Sequence, residues 1–313
     1  VGCNHKKAYN VYQGEVFGTY YRFQVDSSKD FGPDIDSIFL AIDQAANSYN
    51  NTSEISIFNR EGELNNPSAT MVQMLDSAKK YHTLTDHYFN PALYPLIQAW
   101  GKSLDNRSSL DSTKIDSLLK LIDFGGSIKS DHTKLQAKHP GAMMDLSGLG
   151  EGFALDRIAQ TLDNNDVKNY MVEIGGEMKC KGVNGNSDIW RIGIENPNVS
   201  IDERGSSLMK IVKLDHSAIS TSGSYRKFYT DSSGNKYPHI IDPKSGYPVS
   251  HNLLSVSIIS ESSTEADAIA TACMAMGTEK AKTFLGLVPH LAGFLIFDEN
   301  GALKTWQTSN FPE

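Results

Sequence analysis

Apolar residues recur at helical spacing over residues 34–49, at Ile35, Ile38, Phe39, Ile42, Ala45, Ala46 and Tyr49, and predict an amphipathic helix. Just before it, residues 14–26 (GEVFGTYYRFQVD) alternate aromatic or β-branched residues with others. That is the pattern of a strand, with Gly18 and Thr19 as a bulge. The polar stretch NNTSEISIFNREGELNN reads as a loop, and further helices fit residues 68–87, 91–100 and 112–122, with Pro91 tolerated in a first turn. After Met144 the texture changes. A helix over 151–163 is followed by strand patterns at 169–174, 189–195, 208–214, 225–229, 236–241 and 252–259. A long helix begins near Thr264, a shorter one near Glu279, and strands at 291–297 and 302–306 follow. Strands cluster as meanders instead of alternating with helices, so the expected class is α+β rather than a doubly wound parallel sheet. No internal repeat or low-complexity linker interrupts the pattern. One domain over residues 14–313, preceded by a tether at 1–13, is the expected organisation.

Composition narrows the partners. The 313 residues carry 29 Lys and Arg against 37 Asp and Glu, a formal net charge of −8, with no basic run, which argues against nucleic acid as a partner. No run of about 18 apolar residues reads as a membrane-spanning helix. The three cysteines are too few and too scattered for a disulfide scaffold or a zinc site. Cys180 and Cys273 sit in apolar surroundings and read as small buried hydrophobes. Cys3 differs: the opening VGC resembles the end of a bacterial lipobox, which implies a lipid on Cys3 and an extracytoplasmic, membrane-anchored protein on the periplasmic face. An ordinary free thiol is the alternative.

The sharpest anomaly is STEADAIATACMAMG, residues 263–277. Ser262 and Glu265 have capping-box spacing and Gly277 supplies a stop, so this is a helix, and its small, apolar body marks it as buried. Asp267 within it would be costly unpaired. It either caps or pairs with a neighbour, or it joins Thr271, four residues on along the same face, in binding a hard cation such as Mg²⁺ through oxygen. Glycine-rich segments bear on the choice. MDLSGLGEGFALD places Gly148, Gly150 and Gly152 where a loop enters a helix, a position able to receive phosphate, although no dinucleotide fingerprint accompanies it. Gly175 and Gly176 in VEIGGEMKCKG would let backbone pass close to something flat, and AISTSGSYRKFY adds a third small-residue turn. Each taken singly also reads as a tight turn.

In HIIDPKSGYP, His239 enters and Asp242 leaves a short apolar stretch, and the residues after it are turn chemistry. Together with FGTYYRF, SYNNTSEISIFN, FNPALYPLIQAWG, DLSGLGEGFALD, VEIGGEMKCKG, ISTSGSYRKF and EADAIATACMAMG, this ordered series resembles the ApbE family of FAD:protein FMN transferases over nearly the whole chain. The resemblance implies an α+β fold with a tunnelling-fold-like β core and flanking helices. It also implies an enzyme that uses Mg²⁺ to split FAD and passes FMN to a Thr or Ser hydroxyl of an acceptor redox protein, releasing AMP. Carried over by position, it gives Asp267, Thr271 and the main-chain oxygen of Gly148 as metal ligands. Phe17, Tyr49, Tyr88, Phe89, Asn90, Asp145, Glu151 and Ile241 would contact the flavin nucleotide, and His239 would be the base that takes the acceptor proton. The aromatic members of that set suit the walls of a flat-ring pocket, and an imidazole suits a base at neutral pH.

Two positions depart from the family pattern. Phe17 stands where many members carry Met, and Glu151 where many carry Lys. Glu151 cannot contact a pyrophosphate as a lysine would, so its expected contact is the adenosine ribose or a ring nitrogen. The same site with water as acceptor would give an FAD pyrophosphatase, and a site without chemistry a flavin-binding lipoprotein.

Overall fold

The computed structural model describes residues 9–105, 110–197, 207–223, 228–230, 236–238 and 240–312. The aromatic alternation near the start forms two strands instead of one bulged strand. β1 (Asn10–Val16) and β2 (Thr19–Val25) pair antiparallel around a two-residue turn. Phe17 and Gly18 both take positive φ there, 52° and 77°, the pattern of the turn that matches the twist of paired strands. A bulky residue is rare in that region, so Phe17 is held under strain.

α1 (Gly32–Ala46) buries Ile35, Phe39, Ile42 and Ala45, the face read from the periodicity. The segment expected as a polar loop instead contains α2 (Glu54–Glu61) and β3 (Glu63–Asn65). Ser53 caps α2 by accepting from the Ser56 N–H, Gly62 ends it at φ 74°, and Ile55 and Phe58 are fully buried. Two apolar anchors three residues apart were enough, but polar neighbours concealed them. α3 (Ala69–Leu84), α4 (Tyr94–Asp105), α5 (Ser112–Leu119) and the short α6 (Phe124–Ser127) complete a helical half, and β4 (Ile128–Ser130) and β5 (Lys134–Ala137) join β3 in a small sheet ordered β3-β5-β4.

A 3-10 turn at Ser147–Leu149 leads into α7 (Gly150–Asn164). β6 (Tyr170–Ile174) and β7 (Glu177–Lys181) follow as a hairpin whose turn is Gly175 and Gly176, at φ 62° and 107°. That glycine pair is therefore a turn. β8 (Trp190–Glu195) and β9 (Leu208–Leu214) form a separate ribbon. β10 (Ser217–Gly223) is a strand where small residues suggested a turn. β11 (Phe228–Thr230) and β12 (Lys236–Pro238) pair with each other, and β13 (Leu253–Ser260), α8 (Ser263–Met276), α9 (Thr278–Leu287), β14 (Ala292–Glu299) and β15 (Ala302–Gln307) complete the order.

The main sheet has eight antiparallel strands in the order β1-β2-β6-β7-β10-β13-β14-β15. Both of its faces are covered, and successive residues sort between them. Leu295 and Phe297 of β14 join the core under the helices, while Phe294 and Ile296 join a second core with Trp190, Ile192 and Val212 of the β8–β9 ribbon. On the helix side α8 packs on β10, β13 and α7. Ala218, Ser220 and Ser222 of β10 pair with Ser260, Ile258 and Val256 on that face, and their small side chains leave room for the alanine-rich helix. The strand was missed because its composition answers to the helix above it.

Candidate functional site

The site is assembled where α7 and α8 cross. Asp156, in the second turn of α7, accepts from the Ser263 and Thr264 N–H groups at 2.9 Å and from the Ser262 and Thr264 hydroxyls at 2.7 Å, while the Lys179 ammonium stands 2.7 Å away. One carboxylate thus satisfies two of the otherwise unpaired backbone donors at the start of α8, the Ser262 hydroxyl taking the Glu265 N–H, and fixes that helix on α7. One turn earlier Gly152 makes the crossing close. A Cβ there would lie 2.4 Å from the Ser263 carbonyl oxygen and 2.8 Å from the Asp267 Cβ, so only glycine fits. The Gly152 N–H donates to Asp267 Oδ2 at 3.0 Å.

Asp267 is 6% exposed. Burial, then the negative charges of Glu177 and Glu151, push its carboxyl well above the ordinary carboxylate range. No arginine or lysine among the described residues forms an ion pair with it, so of the two alternatives to a metal ligand the charge pair lacks a partner there, while the cap is present, since Gly152 lies in the first turn of α7. One turn further along α8, the Thr271 hydroxyl lies 3.5 Å from the Gly148 carbonyl oxygen. A Cβ on Gly148 would touch Phe89 and Thr271, both at 3.3 Å, so Gly148 is pressed between the 88–90 segment and α8. Carboxylate, hydroxyl and carbonyl oxygens on adjoining elements, with surplus negative charge and no sulfur, form a donor set that fits a hard divalent cation. No group of three or more His, Cys, Asp or Glu side chains among the described residues is placed to hold a metal by itself. A site here therefore depends on the neutral oxygens as well.

Beside this cluster opens a cavity of about 510 Å³, lined by Phe17, Ile42, Asn47, Tyr49, Ser147 and Glu151 among others. Its volume is that of a small-molecule pocket. Phe17 enters from the strained β1–β2 turn and meets Phe39 edge-on at 5.7 Å. Tyr49 is 95% exposed at the rim, an aromatic side chain able to close over a flat ring. Its loop is anchored by Asp43, which accepts from the Asn47 and Asn50 amides.

Of the other residues expected to touch nucleotide, Tyr88, Phe89, Asn90, Asp145 and Ile241 lie outside this cavity's lining. Phe89 is buried against Gly148, and its carbonyl oxygen accepts from His82 Nδ1 at 2.8 Å. The Asn90 amide donates to the Ile122 carbonyl and accepts from the Ala92 N–H, so it organises its own turn. The Tyr88 hydroxyl lies 2.7 Å from the Lys280 ammonium. Asp145 accepts from the Ser147 N–H, and burial pushes its carboxyl up. Ile241 belongs to the core, with Asp242 closing the following turn by accepting from Lys244 N–H and, through its carbonyl, from Gly246 N–H. His239 and Cys3 lie outside the described residues.

Sequence reasoning passed over Asn59 and Glu177. From α2 the Asn59 amide makes a two-way bond with the Met144 backbone, at 2.7 and 2.8 Å, and so sets the strand of chain leading to Gly148. The overlooked helix supplies the site's support. Glu177 adds its charge to Asp267 from the β6–β7 turn, and the signal was available as the acidic residue directly after Gly175 and Gly176.

Fold and site together define a member of the ApbE family, whose model matches residues 17–295, and the chain belongs to that family. Among curated relatives, the FAD:protein FMN transferase of Salmonella typhimurium is 31% identical across 97% of this chain and 89% of its own length. The Escherichia coli enzyme of the same name is 29% identical across 99% and 93%. Two solved structures are similar at 26% identity. The apo form of the Pseudomonas stutzeri flavinyl transferase ApbE has a TM-score of 0.84 over 96% of this chain and 95% of that one. The Vibrio cholerae flavin transferase ApbE has a TM-score of 0.82 over 97% and 98%.

Proposed function

We propose that this chain is an FAD:protein FMN transferase that moves FMN from FAD to a Thr or Ser hydroxyl of an acceptor redox protein, releases AMP and uses Mg²⁺. The family and the names of its curated relatives support the activity. The observation that carries the site assignment is the meeting of Asp267, the Thr271 hydroxyl and the Gly148 carbonyl beside a cavity walled by Phe17 and Tyr49.

In this reading Asp267, Thr271 and the Gly148 oxygen would hold the cation, which when bound would supply charge neutralisation at the pyrophosphate. Phe17 and Tyr49 take the flat rings, and Glu151, at the start of α7, contacts the sugar or base. Phe89 backs Gly148, with Tyr88, Asn90, Asp145 and Ile241 fixing the surrounding walls. The acceptor oxygen attacks the FMN phosphorus, the bond from phosphorus to the AMP-side oxygen breaks, and His239 takes the hydroxyl proton. Positioning and exclusion of water do the rest.

Incubating the protein with FAD, Mg²⁺ and a candidate acceptor tests this directly. Expected are a covalently fluorescent acceptor, one AMP per flavin attached, and arrest by a chelator. Free FMN without labelled acceptor would replace transfer by hydrolysis, and unchanged FAD would leave only binding. We also propose that Cys3 carries a lipid that tethers the protein on the periplasmic face. Mass spectrometry of the membrane fraction should find an acylated Cys3, and an unmodified thiol there ends that proposal.

A further inference from the structure

We propose a second binding site, for a small phosphate-bearing anion, in a cavity bounded by α3, α6 and β4. The cavity holds about 410 Å³. Lys79, Lys129, Lys138, His82, His87 and His132 line it, against two carboxylates, Asp76 and Asp123. Both carboxylates are already engaged. Asp76 bonds His132 Nε2 at 3.0 Å, and Asp123 accepts from the Gly126 N–H at the start of α6. Lys138 donates to the Gly125 carbonyl at 3.0 Å. Among the described residues neither the Lys79 nor the Lys129 ammonium has a hydrogen-bond acceptor or an ion-pair partner within 4.0 Å, although Asp131 feels the charge of Lys129. Basic groups therefore gather around one hollow of a chain whose net charge is −8.

The histidines sharpen the point. The His82 and His87 rings stack at 4.3 Å and 5°, and Asp86 and His87 take φ 47° and 68° in the turn that brings them together. His82 Nδ1 donates to the Phe89 carbonyl, because an amide oxygen can only accept. Burial lowers the His82 pKa, and the charges of His87 and Lys244 add to that against the opposing pull of Phe89 and Asp123. The ammonium groups of Lys79 on α3 and Lys129 on β4, both lining the hollow, match the oxygens of a phosphate-bearing anion as charge-assisted hydrogen bonds. His82 also joins this cavity to the oxygen cluster, since it holds Phe89, and Phe89 packs on Gly148. The cavity's own side chains carry the proposal, and it stands or falls apart from flavin transfer.

The test uses inorganic pyrophosphate as probe, titrated by calorimetry into the full chain with chelator present, at pH 6.5 and low salt, with the histidine ring resonances followed by NMR. Expected are a Kd below about 1 mM and movement of the His82, His87 and His132 signals. A Lys79→Ala/Lys129→Ala double variant should bind at least about tenfold more weakly, with FAD affinity and melting temperature unchanged. Wild-type affinity in the double variant, or still histidine signals on saturation, overturns the site. Displacement of the probe by FAD would assign it to the flavin cavity and overturn the site as well.

Discussion

Asp156→Ala removes the carboxylate that fixes the start of α8, and the cost can be worked from its contacts. Two backbone N–H groups, two hydroxyls and the Lys179 ammonium lose their acceptor. Loss of a helix cap costs about 0.5–2 kcal/mol. Stripping one partner from a buried ion pair costs about 3–5 kcal/mol. Lys179 keeps the Glu261 carbonyl at 2.8 Å and its side chain is 16% exposed, so it can turn partly to water. The combined loss then falls near the low end, about 3.5 kcal/mol, or a drop of about 5–7 °C in Tm for a chain of 313 residues. Acid should narrow the gap between variant and wild type. Burial pushes the Asp156 carboxyl up, but Lys179 and the Thr264 donors outweigh burial and hold it below its ordinary value of 3.8. Its contribution is therefore fully present above the unfolded value and is lost as pH falls through the lower folded one. Urea unfolding followed by circular dichroism at pH 7, 5 and 3.5 measures both effects. A loss under about 1 kcal/mol at pH 7, far less than a lost cap and ion pair together, or a gap that widens in acid, would refute the reasoning.

Other outcomes follow from the same geometry. Asp267→Asn keeps an acceptor for the Gly152 N–H but removes a buried charge crowded by Glu177 and Glu151. The metal-free variant should melt at least about 2 °C above wild type, roughly 1 kcal/mol for a chain of this size, and Mg²⁺ should no longer raise its Tm; a lower Tm contradicts the uncompensated charge. Under the transferase reading, Thr271→Val should weaken Mg²⁺ dependence less than Asp267→Asn, because one neutral oxygen is lost instead of a charge; an equal loss in a Mg²⁺ titration of Tm argues against that ranking. His239→Ala should bind FAD normally while transfer falls by about 10²–10⁴, with the deficit shrinking towards pH 9. A transfer rate within about threefold of wild type, well short of a general base's usual contribution, rules out the base.

Local pattern alone decided the elements whose residues answer to their own segment. α1 announced its buried face through Ile35, Phe39 and Ile42, and α8 announced its burial, its Ser262 cap and its Gly277 stop, because propensity and periodicity act within a few turns. The anomaly of Asp267 in an apolar helix was legible for the same reason, and the ordered motifs carried the family. Other features belong to partners distant in sequence. β10 looks like a turn until α8 lies over it, and α2 looks like a loop until Asn59 is seen holding Met144. Gly152 reads as one of several glycines until a Cβ is placed 2.4 Å from the Ser263 carbonyl, 111 positions along the chain from Gly152. The sequence shows that a charge sits in a buried helix. Only packing brings Glu151, Glu177, Thr271 and the Gly148 oxygen around it, since close approach between helices and strands is set by side-chain volume at contacts that no single segment contains.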